Sequence, residues 1–471
     1  MPIAPKMLEV PEMGHINPPV GEPITQDQNE EGYAYFMSPE PKENLGPIRM
    51  EHDDIFGREV KVRDMRIGMV RNASEENRKD VVVYLEPYPH TRIDKAKDLQ
   101  GWYQAKDDPK AGRPRPCFTE AILTQPYGGA CPVQCCFCYI NAGGRGYRGS
   151  GLITVPVNYG PQIKKQLSKM YRSAAGYFTS FHDPFNQLEE VYHNSQLSAQ
   201  AFVDLNLPIF FLSRLHYPIW AMDMLMKNKH SYAQKSINTP SQEDWKKLSP
   251  GAITLQEHFD EITELHRRGI YVSIQCNPVI AGVTSNEQIL ELFGLLRKAG
   301  ADHVIVKFVE AAYSWAPAMI KKMISRFGDR GHKFGSLFTC NIGVEKTVDE
   351  TYRLNAHKLF RAEATRLGLT YSVCYEYRFE RDEHGNKMSS RGVSIGKEMA
   401  TSSQCHGQKV PIYQRENLTD LFYETKECPP SGCLHCAEDN GGKPRCGDST
   451  MGKATALKLI DLKKPMRKDC V

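Results

Sequence analysis

No apolar run in this chain approaches the roughly 20 residues that span a bilayer, so no membrane segment is expected and no membrane partner with it. The opening stretch MPIAPKMLEVPEMGHINPP lacks a basic region followed by an apolar one, so nothing marks the chain for secretion and a soluble, cytoplasmic protein is expected. Neither sign of charge dominates. Sixty Lys and Arg stand against 56 Asp and Glu, and a net charge of +4 is too small to announce a polyanionic partner. No internal repeat is present beyond an alternation of strand-like and helix-like stretches, which sets aside solenoids and propellers. Cysteine is not scarce: there are 14, and in a large chain expected to be cytosolic, clustered cysteines bind metal or do redox chemistry more often than they form disulfides.

At 471 residues the chain exceeds one typical core, so a principal domain with appended segments is expected. Residues 1–116 read as an irregular arm rich in Pro, Gly, Glu and Asn, followed by a small β-rich extension with stretches such as VKVRDMRIGMV and DVVVYLEPY. Residues 117–375 alternate short apolar runs with longer amphipathic ones, the signature of repeated βα units. Strands are expected at 121–123, 176–179, 209–212, 232–237, 271–275 and 303–309. Helices are expected at 162–172, 188–205, 219–226, 255–267, 286–298 and 317–326, with a long helix at 344–366 and a further strand at 369–375. Six such units give an α/β fold, an open partial (β/α)6 barrel of TIM type with its site at the carboxyl ends of the strands. Residues 376–471 form a Cys-rich C-terminal segment.

Directly after the first expected strand comes GGACPVQCCFCY, which places Cys131, Cys135 and Cys138 at spacings of four and three on one loop. Thiolates are the preferred ligands of iron–sulfur clusters, and three from one loop can take three corners of a [4Fe–4S] cubane, leaving the fourth iron open. A zinc site or buried free cysteines are the plainer readings of such a cluster. Cys136 does not fit the register and reads as a buried non-ligand; Phe137 and Tyr139 read equally as packing around a cofactor or as core aromatics.

The spacing CxxxCxxC followed by an aromatic resembles the radical S-adenosylmethionine (SAM) superfamily. That resemblance implies SAM as cofactor on the open iron, its reductive cleavage to methionine and a 5′-deoxyadenosyl radical that abstracts hydrogen from a substrate, and an external flavodoxin- or ferredoxin-like electron donor. The later strand ends, TSFHDPF after the second, SR after the third, SIN after the fourth and NPVIAGVT after the fifth, resemble the branch related to spore photoproduct lyase. Over residues 121 to 312 it implies that Tyr139, Ser180, Arg214, Ser236, Asn238 and Val279 line a SAM pocket, with Arg214 suited to a bidentate grip on a carboxylate. The pattern departs from true photoproduct lyases, in which a hydrogen-donating cysteine stands beside that serine; here the position is Thr179. Cys276 and Cys374 are alternative thiols, though a buried cysteine is usually a small hydrophobe.

Cys405, Cys428, Cys433, Cys436 and Cys446 lie in a Gly- and Pro-rich stretch with little apolar content, where a metal would supply the missing folding energy. An auxiliary cluster and structural zinc both suit these ligands. For substrate, relatives of the branch point to a nucleic-acid base of thymine type, including phage pathways that hypermodify DNA. The loop GGRGYRG at 143–149 offers guanidiniums and a ring for a DNA or nucleotide partner, or else a flexible rim. The alternatives are modification of a peptide or small metabolite with an auxiliary cluster, and a non-catalytic binding protein.

Overall fold

Seven short, largely buried runs pair side by side and parallel: β1 (Ala121–Thr124), β2 (Ala175–Phe178), β3 (Ile209–Ser213), β4 (Tyr232–Ser236), β5 (Tyr271–Val279), β6 (His303–Phe308) and β7 (Thr370–Val373). Each strand pairs with the next in chain order, and the short strand Gln100–Gly101 adds antiparallel to β1. The computed structural model describes residues 46–68, 78–94, 99–101, 121–138, 151–178, 181–343, 345–390 and 392–425. Among these the sheet stays open, so the fold is α/β with a sequentially ordered parallel sheet, and nothing closes it into a barrel. The stretch expected as a strand after the long helix joins the same sheet as β7, so it has seven parallel strands instead of six.

One face of the sheet is covered by helices. Ile122, Phe178, Phe211, Ala233, Ile274 and Val306 from the strands share one core with Ile163, Phe202, Leu225, Ile262 and Leu292 from the helices. The helix Leu255–Arg267 shows why these segments fold as they do: Thr254 and Glu257 close a capping box, and Leu255, His258, Ile262 and Leu265 recur along one buried stripe. The helix Asn286–Ala299 is capped in the same way by Ser285 and Gln288 and ends at Gly300, whose φ of 103° lies in the region glycine favours.

The helices differ from the sequence reading at several places. The single helix expected over 188–205 is two, Glu189–Tyr192 and Asn194–Val203, because His193 adopts φ 50° between them. The long helix begins at Glu350, where the Asp349 side chain caps the Tyr352 N–H, and part of the run before it forms the strand Glu345–Thr347. The helices Gln242–Leu248 and Asp329–Leu337 were not expected, being short and largely polar.

The opposite face divides into two zones. Toward the amino ends of the strands, Tyr177, Phe210 and Tyr232 stack with centroids 4.5 Å apart in each successive pair. Residues 401–410 lie across this zone: Val410 packs with those rings, His406 Nδ1 meets the Tyr232 hydroxyl at 2.6 Å, and the Cys405 carbonyl faces His303 Nε2 at 2.9 Å. Toward the carboxyl ends the same face turns polar. The Gln234 amide donates to Ser273 Oγ, and the Gln275 amide donates to Gln234 Oε1.

A second, six-stranded sheet runs in the order Arg49–Asp53, Arg58–Gly68, Arg78–Tyr84, His90–Ile93, Ile153–Pro156, Gly128–Gly129. It therefore joins the β-rich N-terminal region to segments on both sides of the cysteine triplet. The C-terminal segment returns to the main body as well, since Tyr413–Gln414 pairs with Arg172–Ser173.

Candidate functional site

The cysteine loop leaves the small sheet at Gly129, which holds φ 72° and whose Cβ, if it had one, would lie 2.2 Å from the Leu152 carbonyl oxygen. Only glycine fits there. The next residue is fixed from two sides: the Ala130 N–H donates to the Leu152 carbonyl at 2.9 Å, and His182 Nε2 meets the Ala130 carbonyl at 2.6 Å. Within the loop, the Gln134 N–H closes back on the Cys131 carbonyl and the Cys138 N–H on the Cys135 carbonyl, two tight turns in eight residues.

Residues 248–251 cradle the loop from the far side. The Cys136 N–H donates to the Leu248 carbonyl at 2.9 Å and the Gly251 N–H to the Val133 carbonyl at 3.1 Å. A Cβ on Gly251 would stand 2.0 Å from the Pro132 oxygen, so the two segments touch backbone to backbone. Cys136 is fully buried in the main core, whereas Cys131, Cys135 and Cys138 remain partly exposed. The Ser249 hydroxyl donates to Cys135 Sγ at 3.3 Å.

Charge around the loop is of both signs. Burial pushes the Cys131 thiol well above its ordinary range, with the Asp183 carboxylate adding to it, and pushes Cys136 up to about 11. From the helix Ala316–Phe327 come Lys322, drawn down to about 8 by burial, and Arg326, which donates to the Lys247 carbonyl. Both cations act on the Cys136 thiol and favour its anionic form.

Arg214 follows β3 and is almost wholly buried. Its guanidinium sits 5.1 Å from the centroid of Phe137 and 5.0 Å from that of Trp245, while Nη1 donates to Ser249 Oγ and Nη2 to the Asn277 carbonyl. The expected carboxylate-binding residue is thus anchored on the cysteine loop itself. Asp183 sets the turn that delivers it, accepting from the Arg214 N–H at 2.8 Å and from Ser213 Oγ at 2.9 Å. Burial raises the Asp183 carboxyl against those hydrogen bonds.

Ser236 ends β4 on the polar zone of the open face, opposite Gln275. Asn238 is fully buried; its amide donates to the Pro278 carbonyl at 2.9 Å, and its Oδ1 has no hydrogen-bond partner. Val279 closes β5 after a bulge and accepts a backbone hydrogen bond from Val309. Lys235, next to Ser236, points the other way and is buried against Glu261 at 2.6 Å.

Tyr139, Ser180, Thr179 and the loop 143–149 lie outside the described residues, as do Cys428, Cys433, Cys436 and Cys446. Cys405 is described and buried at the amino ends of β6 and β7, the end of the sheet opposite the triplet. Cys276 is fully buried on the helix-covered face, where burial pushes its thiol up to about 12. Cys374 lies just past β7 and is partly exposed. His182, Asp183, Ser249 and Gly251 were not singled out from the sequence as site residues. The contacts that tie them to the site reach partners 31 to 114 positions away, although His182 and Asp183 lie within the TSFHDPF run.

Among the described residues no three His, Cys, Asp or Glu side chains converge on the position of a single ion. A cubane asks for something else, because each thiolate binds a different iron and the ligands ring the cluster. A short loop with three partly exposed thiols, its fourth cysteine turned into the core, suits that donor set. The unpartnered Asn238 oxygen and the nearby Arg214 guanidinium suit a zwitterionic cofactor beside it.

No family model matches the chain. A radical SAM Nα-GlyT isomerase of Pseudomonas phage M6 is 56% identical over 450 residues, covering 93% of each chain. Among solved structures, spore photoproduct lyase complexed with dinucleoside spore photoproduct superposes with a TM-score of 0.41 at 13% identity, over 58% of this chain and 78% of that one. Streptococcus suis SuiB bound to S-adenosylmethionine gives 0.36 at 14%, over 52% and 48%. These two likenesses are too remote to bear on the chemistry. The identity to the phage protein, spread over more than nine-tenths of both sequences, is not: the chain is a radical SAM enzyme and belongs to the family of the Nα-GlyT isomerase.

Proposed function

We propose that this enzyme isomerises a glycyl group carried through its α-nitrogen on a thymine-type base, the reaction and substrate suggested by its relative's name. The observation that carries the site assignment is the contrast within CPVQCCFC: Cys131, Cys135 and Cys138 stay partly exposed while Cys136 is sealed in the core. In this reading the three thiolates hold a [4Fe–4S] cluster, and Arg214, Ser236, Asn238 and Val279 face SAM. When bound and reduced by an external donor, the pair supplies a 5′-deoxyadenosyl radical able to take hydrogen from an unactivated carbon.

The chain's own residues do the positioning. Arg214 offers its planar fork to the methionyl carboxylate while Phe137 and Trp245 hold its plane. Asn238 offers an unused acceptor to an ammonium or hydroxyl. Asp183 fixes the turn that carries Arg214 and His182 the start of the cysteine loop, so that the site forms before its ligands arrive. In this reading the hydrogen taken from the substrate is returned to it within the same turnover, and no separate thiol donor beside the second strand is invoked. Thr179 at that position agrees with this.

The test is anaerobic reconstitution of the full chain with iron and sulfide, followed by dithionite and SAM. Wild type should release methionine and 5′-deoxyadenosine, and Cys135→Ala neither. With an Nα-glycyl thymidine added, a product of unchanged mass and altered chromatographic position should form. Consumption of SAM with no such isomer would overturn the substrate assignment.

A further inference from the structure

Resting on that reading, we infer that Lys307 and Glu310 form the subsite that recognises the substrate's glycyl group, Lys307 taking its carboxylate and Glu310 its secondary ammonium. The alternation along β6 puts His303, Ile305 and Lys307 on the face away from the helices, and His303 confirms the direction by meeting the Cys405 carbonyl on that side. His303 lies in the aromatic zone covered by residues 401–410. Lys307, four residues on, lies at the carboxyl end, two residues beyond Ile305, which pairs with Gln275 opposite Ser236.

The pair also borders Val279, one of the residues assigned to the SAM pocket. Val309, between Lys307 and Glu310, donates its N–H to the Val279 carbonyl at 3.0 Å. Lys307 Nζ is 2.6 Å from Glu310 Oε1, and the side chains are 12% and 18% exposed, so both charges are largely withdrawn from water but still reachable. The ammonium also lies 5.1 Å from the centre of the Tyr375 ring. An ion pair sunk this far gains little stability over an apolar pair of the same size. What it does offer is a cation and an anion side by side.

A glycine joined through its nitrogen has the matching shape. Its carboxylate and its ammonium flank one CH2, so a ligand laid across the Lys307–Glu310 pair exchanges one ion pair for two crossed ones. The carbon between the two charges is then held at the strand ends, next to the residues assigned to SAM. Lys307 and Glu310 act here as specificity and positioning residues.

The experiment is equilibrium binding to the reconstituted full chain with SAM present, comparing an Nα-glycyl thymidine with its N-methyl counterpart, in which hydrogen replaces the carboxylate. Wild type should prefer the glycyl compound by about tenfold or more, the scale of one charge-assisted contact. Lys307→Met should reduce that preference to near unity, and Glu310→Gln should weaken both ligands because both keep the ammonium. Using a ratio of two ligands separates recognition from a general loss of fold, which would weaken both equally. Absence of discrimination in wild type, or a preference that survives Lys307→Met, overturns the subsite. A Lys307-dependent preference without any isomer formed supports the subsite and overturns the proposed reaction instead.

Discussion

Arg214 shows what a residue can and cannot declare in a sequence. Its place after an apolar run was enough to mark it as a basic group at a strand end, but its stacking between Phe137 and Trp245 depends on two segments far away in the chain. The cysteine triplet could be singled out because its spacing is local, and Asn238 because it follows a strand end. The Asp183 and His182 contacts were not, since their partners are the Arg214 N–H and the Ala130 carbonyl, which sequence distance hides. At this scale the prediction concerns geometry and not charge. Arg214→Lys keeps the positive charge but loses the planar fork and the two-ring stack, so SAM should bind about tenfold more weakly. Equilibrium dialysis with labelled SAM would measure it, and unchanged affinity would remove Arg214 from the cofactor site.

The elements were read most accurately where hydrophobic periodicity and caps agree, as in the helix Leu255–Arg267, and least where one residue interrupts a long amphipathic run, as His193 does. Short polar helices such as Gln242–Leu248 leave no periodic trace, yet this one supplies the Leu248 carbonyl that holds Cys136. The turn after it is the cysteine loop's second wall. Gly251→Ala would place a Cβ 2.0 Å from the Pro132 oxygen, and since that atom is backbone, the loop itself has to move. The expected result is protein with near-native far-ultraviolet circular dichroism but a marked loss of iron bound on reconstitution and a weaker reduced-cluster EPR signal. Full iron loading in that variant would show that the close approach does not set the loop.

At the scale of the whole molecule, the sheet order follows from the alternation of apolar and amphipathic runs, but the covering of its open face does not. Nothing local in residues 401–410 says that they will lie over stacked aromatics. That covering has a measurable pH signature. Burial holds His303, beneath the Cys405 carbonyl, at about 4, and His90, in the small sheet, also at about 4. Between that value and the ordinary 6.5 or so, the unfolded chain binds a proton that the folded one refuses. Stability present above pH 6.5 is therefore lost as the pH falls toward 4, on the order of 3 kcal/mol for each histidine. The thermal midpoint should fall between pH 7.5 and 4.5, and His303→Gln should flatten that slope even if it lowers the midpoint at neutral pH. An identical slope in the variant would exclude His303 as a contributor. The strand Tyr413–Gln414 pairing back to Arg172–Ser173 has a further meaning for biogenesis. A ribosome must release more than four hundred residues before the underside of the sheet can be sealed. Until then the stacked rings of Tyr177, Phe210 and Tyr232 lack the cover that Val410 and its neighbours provide.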